Sequence, residues 1–396
     1  MKVPIKKYQS NAFIYLDGKI PSGTFYIVKS GQINITRRNK LLGDVEEIKT
    51  TGYIFGIIQA ITGMVEEESV KAVTDCEIFV VNRDDIPELY TNHPSVIMKI
   101  ISEYSEILRK LDDDLVKYDI FFTNNKRCDS VLEFAEKYIK IGQPDKAARL
   151  LNSYINEPDI SSENLDKSKK LLAGLPEIKY EPDLSSNIMQ YKRIRKGTII
   201  FTEYELGNNM FIIKKGKIRI TKIKNDKEIL LAVLNEGSIF GEMSIFNDKP
   251  RNATAVAVED TDIMVVNENG LSKLPPEIFV STLKNLTKRI WFVQQQLMAY
   301  KFPFPVARLY YFLYAKLKQK FPGVEEDMFR TCLVDISLKD LFLMTDIDET
   351  RKDEIKDFLN DDNLDFLDDS IKIKNVKKLI DKNSYYFSRL DGNNLN

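Results

Sequence analysis

A stretch of this chain occurs twice, and that duplication limits the fold more than any other feature. FYIVKSGQINIT (Phe25 to Thr36) matches MFIIKKGKIRIT (Met210 to Thr221) at an offset of 185 residues. The offset holds without a gap through Gly52/Gly237, Phe55/Phe240, Gly56/Gly241, Ala72/Ala257, Asp75/Asp260, Val81/Val266 and Asn82/Asn267. A chance match would not keep its register over such a span, so the chain contains a duplicated domain. In the second copy apolar residues alternate through Phe211 and Ile213, then Ile218 and Ile220, around the turn signal Lys215-Gly216. A further set runs through Thr254-Ala-Val-Ala-Val and Ile263-Met-Val-Val. Short alternating segments broken by turns predict a small barrel or sandwich.

A helix is predicted after each copy. Ile97, Ile101, Tyr104, Leu108, Leu111 and Leu115 follow the first; Phe279, Leu283, Leu286, Ile290, Val293, Leu297 and Tyr300 follow the second. Both sets alternate steps of four and three, the narrow a/d seam by which one helix meets another. The seams are expected to pair within one chain, as a pseudo-dimer, or between chains, as a homodimer. Residues 126–175 read as helices, and Tyr138, Gly142 and Ala147 resemble one tetratricopeptide-like hairpin. A lone hairpin cannot bury its own face, so it is expected to pack on a neighbour. Glu177 to Ser186 is polar and proline-bearing and reads as a linker.

Composition removes several function classes. Lys and Arg number 58 against 59 Asp and Glu, so a nucleic-acid partner would need a local basic patch. No apolar run approaches the roughly 18 residues that span a bilayer. The opening MKVPIKKYQSNAFIYL lacks the pattern of a signal peptide, and the expected location is the cytoplasm, away from membranes. Cys76, Cys128 and Cys332 are far apart and odd in number, against a disulfide framework or an iron–sulfur cluster. The lone His93 has no paired ligand nearby. No metal or redox cofactor is expected. With no Ser/His/Asp set, Walker loop or GxGxxG, no enzyme is expected either.

The chemistry lies in FGEMSIFNDKPRNATAVA, Phe240 to Ala257. Gly241 lets the backbone approach a ligand closely. Glu242, Met243 and Ser244 are predicted to open a short helix whose free amides suit a phosphate. Arg251 can grip a phosphate through two parallel hydrogen bonds, and Glu242 suits a ribose hydroxyl. A surface Glu and Arg on an ordinary β-roll is the plainer reading. Together with KGTIIFTEYELGNNMFIIKKGKIRIT (Lys196 to Thr221), this stretch resembles the cyclic-nucleotide-binding domain family, which includes Crp/Fnr-type regulators and protein kinase A regulatory subunits. The resemblance implies that Glu242 binds the ribose 2′-hydroxyl and Arg251 the cyclic phosphate of cAMP or cGMP. Asn252 stands where a small or hydroxylated residue is more usual, which leaves the base open. The resemblance also places base-capping residues near Trp291 and Gln294, although Trp291 reads equally well as core packing. In the first copy Ile57 replaces the glutamate and Glu66 the arginine, with Glu67 and Glu68 beside it. Three carboxylates would repel a phosphate, so the fold is expected to survive there without the site.

From Val306 onward the chain resembles the winged helix-turn-helix of Crp/Fnr regulators. Leu338 to Met344 corresponds to the first helix of the motif, Asp348 to Leu359 to the recognition helix and Ser370 to Lys374 to part of the wing. DNA contacts would fall to Arg351, Lys352, Lys372 and Lys374, and Lys377 and Lys378 add charge near the wing. Against them, the family's DNA-contacting arginines align with Glu349 and Glu354, its glutamate aligns with Thr350, and further acids follow, which argues against the usual readout. The expected fold class is α+β and multidomain. It comprises a degenerate cyclic-nucleotide-binding-like β-roll (jelly-roll-like) at 1–95 and a heptad helix at 96–120. The helical spacer at 126–175 leads to a nucleotide-binding β-roll at 180–275, a heptad helix at 276–302 and a winged helix-like domain at 303–396. The expected function is a sensor that holds one cyclic mononucleotide in the second β-roll and signals through the following helix, as a Crp/Fnr-type regulator. The alternatives are a nucleotide-responsive protein-interaction module without DNA binding, and a ligand-free scaffold.

Overall fold

Alternating β-branched residues and turn glycines build the same strand arrangement twice. The computed structural model describes residues 3–19, 22–37, 45–64, 68–116, 127–158, 160–177, 188–224, 226–247, 249–271, 273–321, 329–347 and 349–392. Glu66, Glu67, Asp348 and nearly all of the expected linker lie outside them.

The first β-roll contains β1 (Ile5–Tyr8), β2 (Phe13–Tyr15), β3 (Thr24–Ser30), β4 (Ile33–Arg37), β5 (Val45–Lys49) and β6 (Ile54–Phe55). A short α1 (Ile57–Thr62) leads to β7 (Ser69–Ala72) and β8 (Cys76–Asn82). These strands make two antiparallel sheets, ordered β1-β8-β3-β6 and β2-β7-β4-β5. Inward positions of β4, β7 and β8 supply Ile33, Ile35, Val70, Ala72 and Ile78, all fully buried. Each of the larger ones contributes about 1.5–3 kcal/mol by leaving water. Two helices follow, α2 (Ile86–Asn92) and α3 (Pro94–Val116), and three more make up the segment between the copies: α4 (Arg127–Lys140), α5 (Pro144–Tyr154) and α6 (Ser162–Ala173).

The second β-roll repeats the plan in β9 (Met189–Ile194), β10 (Ile199–Phe201), β11 (Asn209–Lys215), β12 (Ile218–Lys224), β13 (Lys227–Leu234) and β14 (Ile239–Phe240). Then come α7 (Glu242–Asn247), β15 (Thr254–Ala257), β16 (Thr261–Asn267), α8 (Glu268–Leu271) and the long α9 (Pro276–Tyr300). Its sheets run β14-β11-β16-β9 and β10-β15-β12-β13, strand for strand the order of the first copy. The C-terminal part holds α10 (Pro305–Lys320), β17 (Cys332–Val334) and α11 (Leu338–Thr345), then a 3₁₀ segment Glu349–Ile355 and α12 (Lys356–Leu359). It closes with β18 (Leu364–Phe366), β19 (Ile371–Ile373) and α13 (Val376–Gly392), the strands ordered β17-β19-β18.

One expectation is corrected here. The stretch expected as a single recognition helix is a 3₁₀ segment, non-helical at Arg351 (φ −87°, ψ 29°), and then one α-helical turn. Only Ile355, Phe358 and Leu359 are apolar from Glu349 to Leu359, and Ile355 and Phe358 are fully buried three residues apart. Short helices depend on an apolar face for tertiary support, and this one is too sparse to hold three regular turns.

The chain divides into two compact units, residues 1–100 with 283–396, and residues 101–282. In the second unit the α4–α5 hairpin turns at Gly142 (φ 73°) and packs Phe134, Tyr138, Leu151 and Tyr154 with Ile223 of the second roll. The Tyr138 hydroxyl lies 2.6 Å from Thr254 Oγ1, and the Phe134 and Tyr204 rings are 4.6 Å apart. The isolated hairpin thus buries its face on the β-roll.

Candidate functional site

The loop from Phe240 to Asn252 is held by its ends. Gly241 leaves β14 at φ 75°, a left-handed conformation that starts α7 at Glu242. On the return, the Arg251 amide donates to Glu205 O (2.8 Å) and the Tyr204 amide donates to Arg251 O (3.0 Å). These two bonds tie Arg251 to the loop between β10 and β11.

The Arg251 side chain is 6% exposed, and its guanidinium carbon stands 4.4 Å from the Phe201 ring centroid and 5.5 Å from that of Phe211. Nη1 donates to Gly241 O (2.7 Å) and Ser244 Oγ (2.6 Å). Nε has no hydrogen-bond partner among the described residues. Two glycines make the space: a Cβ on Gly207 would come within 2.4 Å of Nη2, and one on Gly241 within 2.7 Å of Nη1. Burial pushes the guanidinium down to about 10, against the pull of Glu205 and Glu242. Glu205 is engaged elsewhere, accepting from Arg149 Nη2 (2.9 Å) and the Thr202 amide (3.0 Å). The result is a cation stacked on aromatic rings, fixed at one nitrogen, with a second donor to spare. Such a group is suited to an incoming anion.

The structure brings Gly241, Glu242, Met243, Ser244, Arg251 and Asn252 together. Glu242, Met243 and Ser244 are buried at the start of α7, and the Ser244 hydroxyl also donates to Gly241 O (3.0 Å). Asn252, 8% exposed, donates through Nδ2 to Asp112 Oδ2 (2.9 Å) on α3. Its carbonyl accepts from Lys222 Nζ (3.0 Å), which also meets Asp113 Oδ1 (2.7 Å) and Glu203 Oε1 (3.2 Å). Burial raises the Glu203 carboxyl to about 7 even beside this ammonium. Burial also works against charge on Lys222, but Glu203 and Asp113 outweigh it and hold the ammonium above its ordinary range.

Sequence reasoning missed this second layer. Along α3, Ser102 bonds Asn247 Oδ1 (3.1 Å), Glu106 pairs with Lys249 (2.7 Å), Arg109 donates to Pro250 O (3.0 Å) and Asp113 meets Lys222. The helix that follows the first copy therefore lies along the cassette of the second. The available signal was a polar stripe at Ser102, Glu106, Arg109 and Asp113, with the same four-three-four steps as the apolar seam.

Trp291 and Gln294 are not brought to this loop within its compact unit. Trp291 belongs to the other unit, 3% exposed, and shares a cavity with Met64 and Tyr311. Gln294 is half-buried, while its neighbours carry the bonds: Tyr311 donates to Gln295 Oε1 (2.6 Å) and Gln296 to Met344 O (2.8 Å).

In the first roll Ile57 is fully buried at the position of Glu242. Glu68, 7% exposed, accepts from Tyr15 (2.7 Å) and pairs with Arg37 Nε (2.8 Å). Tyr26 stacks on Phe55 at 5.2 Å, and Tyr15 stands 5.8 Å from Tyr26. A buried carboxylate thus bonds Tyr15 in this roll, whereas the second roll buries a guanidinium.

Of the basic residues assigned to DNA, Arg351 is chelated by Glu354 (Nε to Oε1, 2.6 Å) and Lys374 pairs with Asp365 (2.7 Å). Lys372 is exposed on β19, and the Lys352 side chain is outside the described residues. Nearby, Lys377 pairs with Asp381 (3.0 Å) and Lys382 with Asp361 (2.7 Å).

The family model for the cyclic nucleotide-binding domain matches residues 5–93 and 191–275. The chain is 36% identical over 102 residues to the Cyclic AMP receptor protein of Thermus thermophilus, covering 25% of this chain and 46% of that protein. It is 28% identical over 95 residues to the cAMP-dependent protein kinase regulatory subunit of Yarrowia lipolytica, covering 24% and 25%. A solved structure of a CRP-family transcriptional regulator from Thermus thermophilus superposes with a TM-score of 0.37 at 17% identity, covering 49% of this chain and 96% of that one. The matched region thus spans less than half the length of these two curated relatives. The cyclic nucleotide-binding domain is thus found twice in this chain. Crp-type regulators and protein kinase regulatory subunits both stand among the proteins it is similar to.

Proposed function

We propose that this protein is a non-enzymatic cytoplasmic sensor that binds one cAMP or cGMP molecule, in the second β-roll. The observation that carries the reading is Arg251: buried, stacked on Phe201, anchored through Nη1, and left with Nε unpartnered. The phosphate meets the free edge of the guanidinium, and Glu242 accepts from the ribose. The first roll, with its buried Glu68 already paired to a half-exposed Arg37, takes no nucleotide. No helix among the described residues is long and apolar enough to cross a membrane. Calorimetric titration with cAMP and with cGMP tests the reading; the expected stoichiometry is one per chain, and two equivalent sites or none would sink it.

The signal leaves through the helices. A ligand that touches the cassette shifts a helix only by as much as its affinity differs between two packings. α3 is placed to feel it, since Asp112 bonds Asn252 next to Arg251, and this supports the intrachain pseudo-dimer over a homodimer. The order α10, β17, α11, 3₁₀ segment, β18, β19 supports a winged-helix-like reading of the C-terminal part. Its output is a protein partner rather than DNA, a reading favoured by the pairing of Arg351, Lys374 and Lys377 with carboxylates. Electrophoretic mobility shifts at two salt concentrations, with and without nucleotide, separate the two; tight nucleotide-dependent DNA binding restores the DNA regulator.

A further inference from the structure

A second cavity lies in the unit of residues 1–100 and 283–396, with a volume of about 160 Å³. Its walls include Trp291 of α9, Tyr311 and Tyr314 of α10, Phe387 of α13 and Met64, two residues past α1. Two polar side chains in the lining are nine-tenths buried and incompletely used. Trp291 is 3% exposed and its Nε1 has no partner; Asn383 is 8% exposed and its Oδ1 has none. An indole N–H only donates, and an amide oxygen only accepts. A buried donor and a buried acceptor left unsatisfied each cost about 1–3 kcal/mol. Lys318, half-buried and 5.4 Å from the Tyr314 ring centroid, adds a positive charge to the lining.

Size and chemistry together define an occupant. A cavity of about 150 Å³ holds one benzene ring, so this one takes a single ring with a small substituent, and a purine with ribose and phosphate is too large. Aromatic walls favour a planar ring. The indole N–H and the ammonium favour a carboxylate, and the amide oxygen favours a ring hydroxyl or amine. We propose that this cavity is a binding site for a single-ring hydroxy- or amino-substituted aromatic carboxylate, separate from the nucleotide site. Because Trp291 and Tyr311 come from different helices, such a ligand joins α9 to α10, and through Met64 to the first β-roll.

The chain has one tryptophan, so one indole N–H resonance reports on the cavity. The full chain is titrated with 4-hydroxybenzoate while that resonance is followed. The expected result is a saturable shift with a Kd at or below about 1 mM, and a higher melting temperature. Asn383→Ala is expected to weaken binding by about tenfold, matching the weaker binding of plain benzoate to the unaltered chain. Ala315→Leu, which fills the cavity, is expected to abolish the shift. Should that variant fold poorly, Asn383→Ala and the benzoate comparison still decide the matter. No saturable shift, equal affinity for benzoate and 4-hydroxybenzoate, or displacement by cAMP overturns the proposal. A nucleotide titration that fails leaves this result unchanged, since the two sites share no residue.

Discussion

Arg251→Ala is the substitution from which the site can be judged most directly. The guanidinium makes two hydrogen bonds, to Gly241 O and Ser244 Oγ, and stacks on Phe201 at 4.4 Å. Stacking of a desolvated cation contributes up to about 2 kcal/mol, so the alanine variant should melt lower as well as bind more weakly. The binding loss has a separate origin: a phosphate buried in the roll would keep its charge with no cation opposite. Truncating one partner of a buried charged pair costs about 2–5 kcal/mol, a weakening of roughly thirty- to several thousand-fold. Arg251→Lys keeps the charge but loses the second parallel donor, so it should fall between the alanine variant and the native chain. Ser244→Ala removes only the 2.6 Å anchor on Nη1 and should cost about 1 kcal/mol, because the guanidinium must then be ordered by the ligand. The assay is isothermal calorimetry with cAMP and cGMP, after far-ultraviolet circular dichroism has shown each variant folded. The reasoning fails if Arg251→Ala binds within threefold of the native chain, or if Ser244→Ala costs more than Arg251→Lys.

Further outcomes follow from the same loop and its surroundings. Glu242→Ala should weaken nucleotide binding by about 1–3 kcal/mol in calorimetry without changing the stoichiometry. Asp112→Ala strips the acceptor from the buried Asn252 amide and should lower stability by about 1–3 kcal/mol in urea titrations. Glu203 is raised from 4.5 to about 7 in the folded protein, so the folded state holds an extra proton between those values. Its contribution is present below pH 4.5 and lost as pH rises through 7, with stability falling by up to about 3 kcal/mol across the window. Glu203→Gln should flatten that part of a pH series of melting temperatures. Replacing Glu349 and Glu354 by Arg should raise non-specific DNA binding and steepen its salt slope by about 0.9 per added phosphate contact, read by fluorescence anisotropy at several salt concentrations.

The duplication was legible because a fixed offset constrains every strand at once; β3 and β11, or β8 and β16, begin and end on equivalent residues. The loop from Gly241 to Arg251 was legible for a related reason: a left-handed turn at Gly241 and a buried guanidinium at Arg251 leave few substitutes. The surroundings of Asn252 were not. Lys222, Glu203, Asp112 and Asp113 are far apart in the chain, and each alone reads as a charge on a solvated face. Only tertiary pairing makes the burial of Lys222, Glu203 and Asp112 tolerable. Trp291 fits the same account. Its position in a heptad helix is local information, but its neighbours Met64, Tyr311 and Phe387 come from three other elements. The recognition helix went astray because it was carried over from the order and spacing of the resembling motif, while too few apolar side chains were there to sustain it.

The pairing of the first roll's buried Glu68 with Arg37 carries a consequence for dose and response. On the one-ligand reading, a chain has a single binding event to report, so its occupancy rises with concentration along a simple hyperbola. A protein with two live copies could let the first ligand prepare the second and sharpen that curve into a threshold. On that same reading the first copy takes no ligand, and it meets every concentration in the same state. A graded readout follows at the level of one molecule; any threshold would have to arise where separate chains, or the proteins they touch, are counted together.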